Sequence, residues 1–250
     1  MNSISIIIPA FREGNAIAAC LENVSETFDS AEVIVADGSA DPESRACAEA
    51  FGARYIVPKR HSRAQAMNAG AIVATGDLLL FLHADSRLPA AARQLRELDP
   101  DRFGWGGFYK WFTPNSFWLT LHAWTVNLWK IEIRREYLGD NAIFVRRDLF
   151  EALGGYSAEM SLFEDLDLSR RLQLRGREIG LKAKVIRKPS LTSSRRFQKR
   201  GVLYTLYFMQ RCRYWYAKGV DTTEILRRYE GLDEEAQVNE DTRVSVNQAA

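Results

Sequence analysis

Carboxylates recur just past the apolar runs of this chain. Glu13 follows residues 4–8, Asp37 follows residues 32–36, and Asp85 comes three residues after Leu78-Leu79-Leu80-Phe81-Leu82. One acid at such a place serves a turn or a helix cap. Three on one sheet edge suggest a polar site, and an oxygen ligand ending a central strand suits a hard cation held against a diphosphate. His83 stands two residues before Asp85, and such neighbours project to one side of an extended chain, so both can address one ligand. The competing reading is that Asp85-Ser86 only turns the chain before Pro89. Arg63 opens the segment Arg63-Ala64-Gln65-Ala66-Met67-Asn68-Ala69-Gly70. Helix amides there can join its charge in holding an anion, although alone it reads as a surface arginine. A last acidic group is Glu164-Asp165-Leu166-Asp167. Ser161 and Glu164 fit a capping box, and first-turn acids complement a helix dipole. That accounts for Glu164 and Asp167 and leaves Asp165 over.

The elements that would position these residues alternate. Residues 4–8 read as a buried strand, and Asn15 as the cap of a helix with Ile17, Leu21, Val24 and Phe28 on one face. Residues 32–36 form a second strand. Asp41-Pro42 starts a second helix as cap and first-turn proline, and Gly52 stops it. A strand at 54–57, a helix at 64–74 and the strand at 78–82 complete a β-α-β-α-β-α-β order. Such alternation implies a parallel sheet with right-handed crossovers, an α/β class.

Composition narrows the functions. The 250 residues suit one α/β domain with additions, and 46% hydrophobic and 26% charged residues are ordinary for a globular chain. The net charge is +2 but unevenly spread. Residues 170–218 carry fifteen Lys and Arg against Glu178 alone, whereas residues 221–250 carry eight acids and three Arg. The basic segment suits phosphates, nucleic acid or an anionic membrane surface, or is a solvated face. Cys20, Cys47 and Cys212 are dispersed without metal spacing, which fits a reducing compartment. The chain enters its first strand without a signal-type segment, and no run approaches the ~20 apolar residues of a spanning helix. A cytoplasmic protein is expected. Neither Gly-x-Gly-x-x-Gly nor Gly-x-x-x-x-Gly-Lys-Ser/Thr occurs, which disfavours dehydrogenase and P-loop readings.

Four segments in order, Pro9-Ala10-Phe11-Arg12-Glu13, Asp37-Gly38-Ser39, Arg63 to Gly70 and His83-Ala84-Asp85, resemble the signatures of family 2 glycosyltransferases. The resemblance covers roughly residues 4–200. It is closer still to the small bacterial branch associated with radical-SAM/selenoprotein-type domains. It implies the GT-A fold, a Rossmann-like, mostly parallel central sheet flanked by helices. By position it implies that Pro9, Phe11, Glu13 and Asp37 hold the nucleotide, with Arg63 and Asn68 in the third signature. Asp85 would bind the Mn²⁺ or Mg²⁺ that bridges the donor diphosphate. His83 stands where the metal motif's first Asp usually stands, and imidazole also ligates Mn²⁺. Asp165, in the Glu164-Asp165 pair, would be the general base. Asp140, in Gly139-Asp140-Asn141, would touch acceptor or donor sugar, and Arg195 and Arg196 would close over the phosphates.

The second half changes character. Residues 90–98 read as a short helix, 105–112 as an aromatic strand, 142–145 as a strand, and 178–187 as the last strand. Residues 115–135 hold apolar groups at three- and four-residue spacings, among them Phe117, Trp118, Leu121, Trp124 and Trp129. The expectation is a core helix, the alternative an interfacial helix or a wall of the acceptor site. The helix at 201–217 is aromatic and edged by Lys199, Arg200, Arg211, Arg213 and Lys218, so it packs on the core or touches anionic membrane.

The expected organisation is a nucleotide-sugar-binding half (1–98), an acceptor and catalytic half (99–198), amphipathic C-terminal helices (199–232) and a mobile tail (233–250). The expected function is inverting transfer from a nucleotide-diphosphate sugar, uridine first, to an acceptor the sequence does not name, a lipid-linked one among the candidates. The membrane would be met peripherally through residues 199–218, and no nucleic-acid partner is expected. The competing classes are a nucleotide-sugar-binding protein impaired at His83 and a basic peripheral membrane module.

Overall fold

The computed structural model describes residues 1–59, 62–229 and 231; the expected tail at 233–250 lies outside them. In chain order the elements begin with β1 (Ile4–Ala10), α1 (Asn15–Thr27), β2 (Glu32–Asp37), α2 (Pro42–Ala50), β3 (Arg54–Ile56), α3 (Arg63–Val73) and β4 (Leu78–Phe81). Then come β5 (Ser86–Arg87), a 3-10 helix (Ala90–Glu97), β6 (Phe103–Thr113), α4 (Phe117–Thr125) continuing as a π-helix (Val126–Ile133), and a 3-10 turn (Gly139–Asn141). The chain goes on through β7 (Ile143–Arg146), α5 (Arg147–Ala152), α6 (Glu164–Ile179), β8 (Lys182–Ser193), α7 (Arg195–Arg200) and α8 (Val202–Ala217).

One eight-stranded sheet runs β3-β2-β1-β4-β7-β6-β8-β5. The first four strands are parallel, as the alternation requires. At β4 the sheet changes: β4 pairs antiparallel with β7, β7 with β6 and β5 with β8, while β6 and β8 are parallel. The strand that ends in His83 and Asp85 therefore stands where the parallel half meets the mixed half.

Alternation along buried strands sorts the core into two layers. Ile4, Ile6, Ile8 and Leu80 pack with Ile17, Leu21 and Val24 of α1. Ile7, Leu79 and Phe81 pack on the opposite face with Met67 of α3 and Leu168 and Leu172 of α6. Phe81 stacks edge-on against Tyr156 at 5.0 Å, and truncating a ring so enclosed costs about 3–5 kcal/mol. Gly70 lets α3 approach the sheet, since a Cβ there would lie 2.4 Å from Ile7 Cγ2.

Several local expectations change. Asn15 is the first residue of α1, with Gly14 at its cap. Asp41 caps α2 as expected, its Oδ2 accepting the Ser44 N–H at 2.9 Å. The last strand starts at Lys182, not 178, because α6 continues to Ile179 and is closed by Gly180 at φ 76°. The Ser161 and Glu164 capping box does not form: Phe163, at φ 67°, precedes α6, and no side chain caps it. Ser161 instead donates its N–H to Thr222 Oγ1 at 3.1 Å, and Glu164 is taken by Arg63. The helix expected in the core at residues 115–135 is buried along one side only, by Leu119, Ala123, Val126 and Ile131.

Candidate active site

A cleft of about 650 Å³ opens beyond the end of β4, within the size range of small-molecule sites. Of the residues read from the sequence, Arg63, His83, Asp85, Asp140, Asp165, Arg195 and Arg196 line it. Five elements meet there: α3 brings Arg63, the chain after β4 brings His83 and Asp85, the 3-10 turn brings Asp140, and α6 and α7 bring the rest.

Asp165 is buried at the start of α6. Its Oδ2 accepts the Gly139 N–H at 2.8 Å and faces Arg63 Nη2 at 3.4 Å. Its Oδ1 is buried without a hydrogen-bond partner. Burial pushes its carboxyl up to about 7; Arg63 opposes the shift and Glu164 adds to it. Glu164 accepts from Arg63 Nε through Oε1 at 2.5 Å and does not line the cleft. Both acids keep one buried oxygen without a hydrogen-bond partner, Glu164 Oε2 and Asp165 Oδ1, but only Asp165 lines the cleft, while Glu164 holds Arg63. Asp167 has left the site: its Oδ2 accepts from Ser157 and from Arg171 Nε at 2.6 and 2.8 Å.

Asp140 is held from behind by a residue the sequence reading passed over. Lys110 on β6 is fully buried, and its Nζ donates to Asp140 Oδ2 at 2.8 Å. Burial would raise the Asp140 carboxyl, but Lys110 outweighs it and the group stays below the usual range. Asp140 Oδ1 has no hydrogen-bond partner. The missed signal was parity, because Lys110 shares a strand face with Phe108 and Phe112, where a cation needs a buried acid. His83 sits beside them with its Nε2 unpartnered, and burial, with Arg63 nearby, lowers it to about 3. It is a neutral imidazole. A Cβ on Gly139 would lie 2.2 Å from that nitrogen, so only glycine admits this approach.

The far wall is cationic. Arg195 and Arg196 are joined at the cleft by Lys199, Arg200 and Arg213. The sequence sets those last three along the edge of a helix that packs on the core or touches membrane; in the structure they line the cleft, on α7 and α8.

Pro9, Phe11, Glu13, Asp37 and Asn68 do not line this cleft. Glu13 reaches toward it, 3.7 Å from Arg195, and its carboxyl is raised by burial first and by Asp85 next. Phe11 is half exposed. Both Asp37 oxygens are occupied, Oδ1 by the N–H and hydroxyl of Ser39, Oδ2 by the Asp41 N–H and the Tyr55 hydroxyl. Asn68 clasps the Tyr156 backbone, donating to its carbonyl at 2.8 Å and accepting its N–H at 2.9 Å. Pro9 pairs with Ala36 inside the sheet.

Comparison with known proteins decides the family. The profile of Glycosyl transferase family 2 matches residues 5–148, more than half of the chain. The chain belongs to this family. A PGL/p-HBAD biosynthesis glycosyltransferase of Mycobacterium tuberculosis is 30% identical over 180 residues, 67% of this chain and 68% of the relative. Among solved structures, the mannosyltransferase PcManGT from Pyrobaculum calidifontis, in complex with GDP-Man and Mn²⁺, shares the fold at a TM-score of 0.61. It is 18% identical, and the match covers 88% of this chain and 64% of that one. S. aureus TarS 1-349, in complex with UDP-GlcNAc, follows at 0.60, 14% identical, covering 77% of this chain and 59% of that one. The chain thus spans less than two thirds of these two neighbours. This glycosyltransferase has the GT-A fold, with its sheet mixed beyond β4.

The divalent cation that family 2 membership implies meets a partial fit. Among the described residues, no group of three or more His, Cys, Asp or Glu is arranged to hold a metal ion. The cleft does offer Asp85, raised by burial and further by Asp140, and the unpartnered Asp140 Oδ1. These are hard oxygen donors that a cation would relieve, but its remaining ligands must come with the substrate.

Proposed function

We propose that this family 2 glycosyltransferase moves a sugar, with inversion, from a nucleotide-diphosphate sugar, UDP first, to a lipid-linked acceptor. The observation that carries this reading is that Asp165, with an unpartnered oxygen, and the cations Arg195, Arg196, Lys199, Arg200 and Arg213 line one cleft. Asp165 takes the proton of the acceptor hydroxyl at its free Oδ1 as the new C–O bond forms at the anomeric carbon. The bond from that carbon to the donor's phosphate oxygen breaks, and the diphosphate leaves with the electron pair. Arg195 and Arg196 meet the charge that develops on it. A carboxyl raised to about 7 is a stronger base than a free carboxylate, is about half ionised at neutrality and is ionised in full above it.

Asp85, with Asp140 Oδ1, would hold a Mn²⁺ or Mg²⁺ whose role is to neutralise the diphosphate. The chain after β1, with Phe11, forms the base and ribose site. Asp37 serves that site by shaping the turn from Gly38 to Asp41. Asn68 acts through the loop before α6 that it clasps. UDP and GDP sugars both occur among the structural neighbours, so the nucleotide is set by experiment. Of the cations at residues 199–218 that suggested lipid contact, Lys199, Arg200 and Arg213 line the cleft, leaving Arg211 and Lys218 outside.

The test is turnover on a panel of nucleotide sugars with and without Mn²⁺, with the product's anomeric configuration read by NMR. Donor consumption with an inverted product supports the proposal. An unchanged anomer, or no transfer or hydrolysis from any donor, contradicts it. Asp85→Ala should abolish the Mn²⁺ dependence of nucleotide-diphosphate binding while leaving the melting temperature in place.

A further inference from the structure

The helix from Phe117 to Ile133 is apolar on both sides. Its inner side packs Leu119 and Ala123 against Phe112 and Phe197. Its outer side presents Phe117, Trp118, Leu121, Trp124, Leu128 and Trp129, of which Phe117 is 73% and Trp124 64% exposed. No Asp, Glu, Lys or Arg occurs from residue 111 through residue 129. An all-round apolar helix is normally enclosed, yet Phe117, Trp124, Leu128 and Trp129 on this face are more than half exposed. It is also no membrane span, for no described helix is long and apolar enough to cross a bilayer.

The charges at its carboxyl end identify the occupant. Glu136 is buried and met by Lys130 at 2.9 Å, by Arg170 at 3.7 Å and by Arg134 at 4.0 Å. Glu132 is met by Arg187 at 2.7 Å and Arg135 at 3.1 Å. Both acids turn inward, with side chains 10% and 15% exposed, while Arg134, Arg170 and Arg187 are 50%, 51% and 76% exposed. Five cations thus surround two sequestered acids, leaving an outward excess of positive charge beside a face with three tryptophans. Tryptophan favours the headgroup region, and a basic cluster favours anionic headgroups.

We propose that this helix is the membrane-docking face of the protein, lying in the interface of an anionic bilayer with its tryptophans among the headgroups. It replaces residues 199–218 as the site of contact. Phe112 and Phe197, which the helix packs on, also line the cleft, so docking sets the mouth of the site beside the headgroups. The proposal stands apart from the reaction, because its test reads vesicle binding alone.

Full-length protein is floated with phosphatidylcholine vesicles with and without 30–40% phosphatidylglycerol, a roughly chosen range that raises anionic surface charge. The expected result is recovery with anionic vesicles, weakened by salt, and quenching of tryptophan fluorescence by brominated acyl chains. The double variant Trp124→Glu, Leu128→Glu alters only exposed positions, so its melting temperature should hold while recovery falls about tenfold or more. Tyr207→Glu with Tyr214→Glu on α8 should bind like the wild type. Absence of binding by wild type, binding unchanged by Trp124→Glu and Leu128→Glu, or loss confined to the α8 variant would overturn the assignment. A self-association abolished by the same Trp124 variant, without vesicle binding, would give the face to a second copy of the chain instead.

Discussion

Asp37, in the parallel half of the sheet, and Asn68, on α3 beside it, use their polar atoms in the opposite way to Asp140, Asp165 and His83 in the cleft. In the parallel half, Asp37 has both oxygens taken by Ser39, Asp41 and Tyr55. Asn68 is likewise consumed at both ends by the Tyr156 backbone. In the cleft beside the mixed half, Asp140 and Asp165 each keep one buried oxygen unpartnered, and His83 keeps its Nε2. An unsatisfied buried polar atom costs about 1–3 kcal/mol. Three of them in one cleft mark groups kept for a ligand, whereas satisfied ones fix shape. Position in a family signature does not separate the two kinds; an unpartnered polar atom together with a place in the cleft lining does, since Trp105 Nε1, Tyr156 Oη and Glu164 Oε2 are also buried without partners but lie outside it.

The comparison breaks most visibly at Lys110. Lys110→Met leaves the Asp140 carboxylate buried without its partner, and denaturant unfolding should show a loss of about 3–5 kcal/mol. Adding Asp140→Asn should recover most of it, since a neutral amide replaces the stranded charge. A single variant as stable as the wild type would mean that Asp140 does not depend on Lys110.

Asp37→Asn tests the other side of the contrast. The amide accepts through one oxygen only, and its NH2 can donate to the Tyr55 hydroxyl but not to the Asp41 N–H, which is left without its acceptor, so unfolding should show about 1–3 kcal/mol less stability. The same substitution should change turnover little once the protein is folded. Unchanged stability with a large loss of donor affinity would move Asp37 into direct contact with the nucleotide and erase its contrast with the cleft.

The smallest effect is in pH. Asp165 works ionised, and its carboxyl is raised to about 7 by burial, so turnover should fall through the acid limb near that pH and lose about tenfold one unit below it. Arg63 holds the group down. Arg63→Gln should therefore move the limb to higher pH, and a profile flat down to pH 5 would contradict the raised carboxyl.

What could be read from the sequence follows the range of the interactions involved. The strands β1 to β4 and the cap at Asp41 are written in residues a few positions apart, and they stand as read. The start of α6 is not local. Ser161 and Glu164 have the spacing of a capping box, but Arg63, a hundred residues earlier, takes the glutamate, and Thr222 takes the serine N–H. The helix from Phe117 shows the same limit from another side, because periodicity reveals an apolar face and not what covers it. Within the site, seven residues read from the sequence meet in the cleft. Lys110 was passed over because its significance lies in the Asp140 partner thirty residues away, on a turn whose position depends on the mixed sheet.

The central claim is that Asp165 acts on the acceptor and is not needed to hold the donor. Asp165→Asn keeps the size and the bond from Gly139 but takes no proton. Donor Kd, melting temperature and turnover should be measured on one preparation. The account predicts near-normal donor affinity and stability, with turnover lowered by about 10²-fold or more. Full turnover with Asn at position 165 would contradict it and pass the role of base to another carboxylate of the cleft, Asp140 first.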